Sequence, residues 1–131
     1  MTDPRQNRPG GLSSRWLRRF HDAFDGLRSA LVSEESLWVH LFFASAVIAV
    51  STVIGLELWR WCVLILSISL VISLELVNSA IERLVKTLHP EHDEMVGQAL
   101  HIAAAAVLVA SIGAAVVGLI VLLPALLAAL H

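Results

Sequence analysis

Residues 61–82 read WCVLILSISLVISLELVNSAIE. No charged residue stands between Trp61 and Leu74, and the whole segment is long enough for a membrane-crossing helix, which takes about 20 residues. Its last two turns change character, because Glu75, Asn78, Ser79 and Glu82 arrive in quick succession. At about 100° per residue, spacings of three, four and seven return to the same helix face, so the four share one narrow stripe. An ionisable group inside a membrane helix costs on the order of 2.5–3.5 kcal/mol and is retained where it lines a site or meets a partner. The stripe predicts an all-α integral membrane protein with a polar face turned inward.

The rest of the chain agrees. Of its 131 residues, 57% are apolar and 15% charged, against averages of about 45–50% and about 25% for soluble domains, and the mean hydropathy is +0.79. A water-soluble domain, a disordered chain and a nucleic-acid-binding domain are poor fits. The lone Cys62 excludes an intrachain disulfide and a paired-cysteine metal site. Two further apolar blocks flank the first, giving expected transmembrane helices over 37–56, 61–83 and 100–123. Trp38, Trp59 and Trp61 mark membrane edges.

Before the first span, Trp16, Phe20, Phe24, Leu27 and Leu31 recur at helical spacing with arginines and aspartates between them. This predicts an amphipathic surface helix over 14–32, preceded by a flexible basic tail over 1–13, so that 14–131 form a single membrane-embedded domain. Six arginines precede Leu37, one lies in the first loop, and Arg83 and Lys86 lie near the second. By this bias the N-terminus and the second loop face the cytoplasm. A ladder of Ala106, Ala110, Ala114 and Gly118 lets another helix approach closely, from the same chain or from a second copy.

The stripe carries the chemistry. Glu75 lies deepest, in a setting of reduced polarity that suits a general base collecting a proton from a lipid hydroxyl. Glu82, nearer the cytoplasmic end, suits a hard oxygen ligand for a divalent cation. Glu34, in Ser33-Glu34-Glu35-Ser36, offers a second carboxylate at similar depth. Blander readings are that Asn78, Ser79 and the acids hold helices together across subunits. Likewise, Ser33 caps the first span while Glu34 and Glu35 complement its dipole.

The run LELVNSAIE closely resembles the E-x-x-N-S/T-A-I-E signature of the prokaryotic membrane-embedded diacylglycerol kinases, the family that includes undecaprenol kinase. The resemblance extends to Gly26-Leu27-Arg28, the acidic Glu34, three crossings and the loop Pro90-Glu91-His92-Asp93-Glu94. It implies a homotrimer in the bacterial inner membrane that transfers the γ-phosphate of ATP, with Mg2+, to a lipid alcohol, either diacylglycerol or a polyprenol. Carried over by position, Glu75 is the base and Asn78 its catalytic neighbour, while Glu34 and Glu82 hold the metal. Arg15, Glu34, Glu82, Glu91 and Asp93 serve the nucleotide, and Arg28, Trp38 and Glu75 the lipid substrate.

The chain departs from the family pattern at two places. Relatives carry a Lys-Asp pair where Leu100-His101 stand here, and an acid where Lys86 stands. Lys86 follows Glu82 by one turn, so it either replaces the absent lysine or forms an i,i+4 salt bridge. Two other readings of the protein remain open: a catalytically weak structural or lipid-binding subunit, and a small cation or proton pathway along the Glu75–Glu82 stripe.

Overall fold

The computed structural model describes residues 12–88 and 93–129, and everything described is helical or helix-linking. In chain order the helices are α1 (Leu12–Ser33), α2 (Glu35–Ile54), α3 (Leu58–Leu88) and α4 (Glu94–Ala129). The chain divides into two compact units, one ending at Ser33 and one running from Glu34 to the C-terminus. Within the first, α1 begins at Leu12, two residues before the expected start, and leaves Trp16, Phe20 and Phe24 exposed. The tail over 1–11 lies outside the described residues.

Helices α2, α3 and α4 are each long and apolar enough to cross a membrane. Helix α2 stops at Ile54, short of the expected Leu56, because Gly55 adopts the left-handed conformation with φ 72° and ψ 56°. That geometry turns the Gly55 and Leu56 N–H groups back onto the Ser51 carbonyl, at 3.1 and 3.4 Å, and closes the helix as glycine does at this position. Helices α3 and α4 are longer than the apolar runs that announced them. The 31 residues of α3 span about 46 Å and the 36 of α4 about 54 Å, against an apolar layer of about 30 Å. Both helices are thus longer than the apolar layer is thick.

The beginning of α4 is set by Asp93, whose carboxylate accepts the N–H groups of Met95 at 2.8 Å and Val96 at 3.4 Å. This is an N-cap that satisfies donors the first turn cannot. Near its other end α4 continues through Pro124, which lacks the N–H that would have reached Ile120. In the same turn the Arg60 guanidinium donates to the Val121 carbonyl at 3.4 Å, tying the start of α3 to this loosened stretch.

Helix α3 packs against both α4 and α2, and α2 also meets α4. The buried positions of α2 are Leu37, Ala44 and Ser51, seven apart, a repeat that keeps one seam facing the neighbouring helices. Those of α3 are Leu64, Val71, Glu75, Asn78 and Ser79, so the polar stripe continues the apolar seam on the same inward face. On α4 the buried residues are Val107 and Val121. The small-residue ladder is only partly inward. Steps of four residues advance about 40° each, or about 120° from Ala106 to Gly118, and Ala106 is exposed while Ala110, Ala114 and Gly118 are half-buried.

Candidate active site

The site grows from the last apolar turns of α3. Glu75 is 3% exposed, Ser79 5% and Asn78 8%. The Ser36 hydroxyl, from the first turn of α2, donates to Oε1 of Glu75. One turn further along α2, Nε2 of His40 stands 3.9 Å from the other oxygen, Oε2. One oxygen of the Glu75 carboxylate thus accepts from a neutral hydroxyl and the other faces an imidazole, both on a helix it meets only through tertiary packing.

One turn toward the end of α3, the Asn78 amide donates to Oε1 of Glu82 at 3.1 Å, and Lys86 approaches Oε2 at 3.5 Å. Lys86 is well exposed, so the observed arrangement is the i,i+4 ion pair. Oδ1 of Asn78 is buried without a hydrogen-bond partner, an oxygen acceptor left open beside Glu82. Glu34 occupies the N-cap position of α2, yet its side chain makes no capping hydrogen bond. Instead Oε1 receives Nε and Nη2 of Arg83 at 3.1 and 3.0 Å. The expectation that Ser33 caps α2 gives way: the cap position falls to Glu34, and the Ser33 hydroxyl donates to the Ser29 carbonyl of α1.

These contacts sort the acids. Glu34 and Glu82 each face a cationic side chain, whereas Glu75, the most buried of the three, meets neither lysine nor arginine among the described residues. A carboxylate held away from water with so little counter-charge is energetically costly, and such groups concentrate at functional sites. Within this chain Glu75 is linked to α2 and Asn78 along α3.

Of the residues expected from sequence, Glu75, Asn78 and Glu82 share the α3 stripe, and the Arg83–Glu34 bridge brings Glu34 to the same end of the bundle. Trp38 is 59% exposed on α2, about 200° around the helix from Ser36 and from His40. Arg15 and Arg28 are exposed on α1, and Asp93 is committed to the cap of α4. Glu91 lies outside the described residues. Leu100 is half-buried and His101 exposed, on the first turns of α4. Among the described residues no three His, Cys, Asp or Glu side chains converge on one point.

Sequence reasoning passed over Ser36, His40 and Arg83. The available signal was the four-residue spacing of Ser36 and His40, which puts both on one face of an otherwise apolar helix.

Comparison with known proteins finds relatives of this chain. A family model described as prokaryotic diacylglycerol kinase matches residues 21–122. The chain is 38% identical over 109 residues to a diacylglycerol kinase of Synechocystis sp., a match covering 82% of this chain and 62% of that protein. It is 30% identical over 113 residues to the undecaprenol kinase of Bacillus subtilis, covering 86% of this chain and 92% of that one. The match thus spans less than two thirds of the Synechocystis relative and nearly all of the Bacillus one. The matched region holds α2, α3 with its buried Glu75 stripe, and most of α4; this chain belongs to the prokaryotic diacylglycerol kinase family.

Proposed function

We propose that the protein phosphorylates a membrane lipid alcohol, taking the γ-phosphate of ATP, at the cytoplasmic face of a bacterial inner membrane. The observation that carries this reading is Glu75, a buried carboxylate at the end of the apolar layer with a hydroxyl and an imidazole for company. In the reaction the lipid hydroxyl gives its proton to Glu75 as its oxygen bonds to the γ-phosphorus. The bond from that phosphorus to the bridging oxygen of ADP breaks, and ADP leaves with the electron pair. A base in this role contributes about 10²–10⁴-fold.

Phosphoryl transfer depends mainly on positioning and on neutralising phosphate charge. Glu34 and Glu82 suit Mg2+, which is commonly held by one or two carboxylates together with substrate phosphates. The open Oδ1 of Asn78 beside Glu82 fits the same hard-oxygen donor set. When bound, the ion would supply positive charge to the β- and γ-phosphate oxygens. Arg83 and Lys86, paired with those two acids, would be the cations nearest to hand for phosphate oxygens if the carboxylates held the ion. Arg15, Glu91 and Asp93 complete the nucleotide set, and Arg28 and Trp38 contact the lipid. The amphipathic α1 lies along the membrane surface, and three copies of the chain form the active trimer.

The acceptor in this reading is diacylglycerol, supported by the description of the family and by the name of the Synechocystis relative. A polyprenol is the second reading, favoured by the near full-length match to the undecaprenol kinase. The test is transfer from γ-labelled ATP in mixed micelles with magnesium, offering both lipids, with Glu75→Gln as the blank. Labelled phosphatidic acid is the expected product, and a labelled polyprenyl phosphate in its place would move the assignment to the second reading. No product from a folded trimer would overturn the kinase reading in favour of a structural or lipid-binding subunit.

A further inference from the structure

We propose that His40 receives the proton that Glu75 takes from the lipid hydroxyl. This rests on Glu75 being the base. After phosphate transfer the base is a neutral carboxyl buried inside the helices, and the next turnover needs it deprotonated. Ser36 donates to Oε1, and a hydrogen bond to that oxygen favours its unprotonated form, so Oε2 is the oxygen better placed to exchange its proton. Nε2 of His40 faces that same oxygen at 3.9 Å. A small side-chain rotation closes this gap to the 2.7–3.2 Å of a hydrogen bond (about 0.7–1.2 Å less).

The chemistry matches the placement. Neutral imidazole is an acceptor at one nitrogen, and histidine is the side chain whose ordinary titration range lies nearest neutrality. The proton passes from the Glu75 carboxyl to Nε2, leaving a carboxylate beside an imidazolium, and the imidazolium releases it to water. His40 is better placed for that release than Glu75, its side chain being 23% exposed against 5%. It also lies about 8 Å, five residues, from the start of α2 at Glu35. Among the described residues of α3 and α4, no other ionisable group competes for the role. Helix α4 has none from Ile102 to Ala129, and His101 and Glu94 stand on its first turns. On α3, Glu82 is already engaged by Asn78 and Lys86.

The experiment compares the parent trimer with His40→Ala, His40→Gln and Glu75→Gln in the same micelles, measuring kcat and the KM for ATP with and without added imidazole. Glutamine can still hydrogen-bond Glu75 but cannot take a proton at neutral pH. Both His40 variants should lose about 10²-fold in kcat with KM changed less than about twofold. Imidazole should restore turnover to His40→Ala and not to Glu75→Gln. Full activity in His40→Gln, or a loss in His40→Ala that imidazole does not relieve, would overturn proton acceptance and leave His40 as packing. An active Glu75→Gln, or an inactive parent, would overturn the base assignment itself, which separates the two failures.

Discussion

The two ends of the α2–α4 bundle treat charge in opposite ways. At the end carrying Glu57 and Arg60, the carboxylate is met by its near neighbours in sequence: Trp59 donates to Glu57 at 2.7 Å and Arg60 stands 3.5 Å from it, while the guanidinium also lies over the Trp59 ring and reaches the Val121 carbonyl of α4. Glu57 is 67% exposed, as expected for a charge that has reached the water side of a membrane helix. At the other end Glu75 is buried and is engaged from another helix, and Glu34 is bridged to Arg83 across 49 positions of sequence. The recess beside Gly55, Glu57 and Arg60 is lined otherwise by aliphatic and small residues. Local pairing keeps a helix end soluble in its interface, whereas charge held by tertiary contacts can be aimed at a substrate.

The largest expected break in this contrast is Glu75→Gln, which should lower kcat by about 10²–10⁴-fold, while Glu57→Gln at the opposite end leaves turnover within about twofold. Lipid phosphorylation at saturating ATP checks both, and similar losses in the two would erase the distinction. Next comes Glu82→Gln, expected to raise the magnesium needed for half-maximal rate by about 10–100-fold, the scale seen when the support of a metal site is lost. A magnesium titration should show it, with Arg60→Gln unchanged.

Smaller effects concern stability. Asp93→Ala removes the α4 cap and should cost about 0.5–2 kcal/mol, seen as a lower thermal midpoint of the solubilised protein. Gly55→Ala should cost about 1 kcal/mol, because a Cβ strains the positive φ although it would meet open space. The exposed Glu57–Arg60 pair should be worth under about 1 kcal/mol, so Glu57→Gln should barely move that midpoint.

The spans and the stripe were legible because both are local patterns. Apolar runs reveal membrane helices without knowledge of their neighbours, and the 75/78/79/82 spacing defines a face by helix geometry alone. The ends were less legible. The proline rule argues for stopping α4 before Pro124, yet the helix continues to Ala129, with Arg60 reaching its loosened turn from α3. The spacing of Ser36 and His40 does not by itself mark His40 as a site residue; packing sets it opposite Glu75.

By itself the sequence determined that the chain is helical, that three segments suit a membrane, and that one helix carries two carboxylates and an amide on a single face. Periodicity and hydrophobicity act over a few turns and need no partner. Tertiary structure alone decided which of Glu34, Glu75 and Glu82 meets no lysine or arginine among the described residues. Ser36 and His40 lie 39 and 35 positions before Glu75 and Glu34 lies 49 before Arg83, and no local spacing rule sets the register between two helices. That register turns a polar stripe into a buried carboxylate with a hydroxyl on one oxygen and an imidazole beside the other.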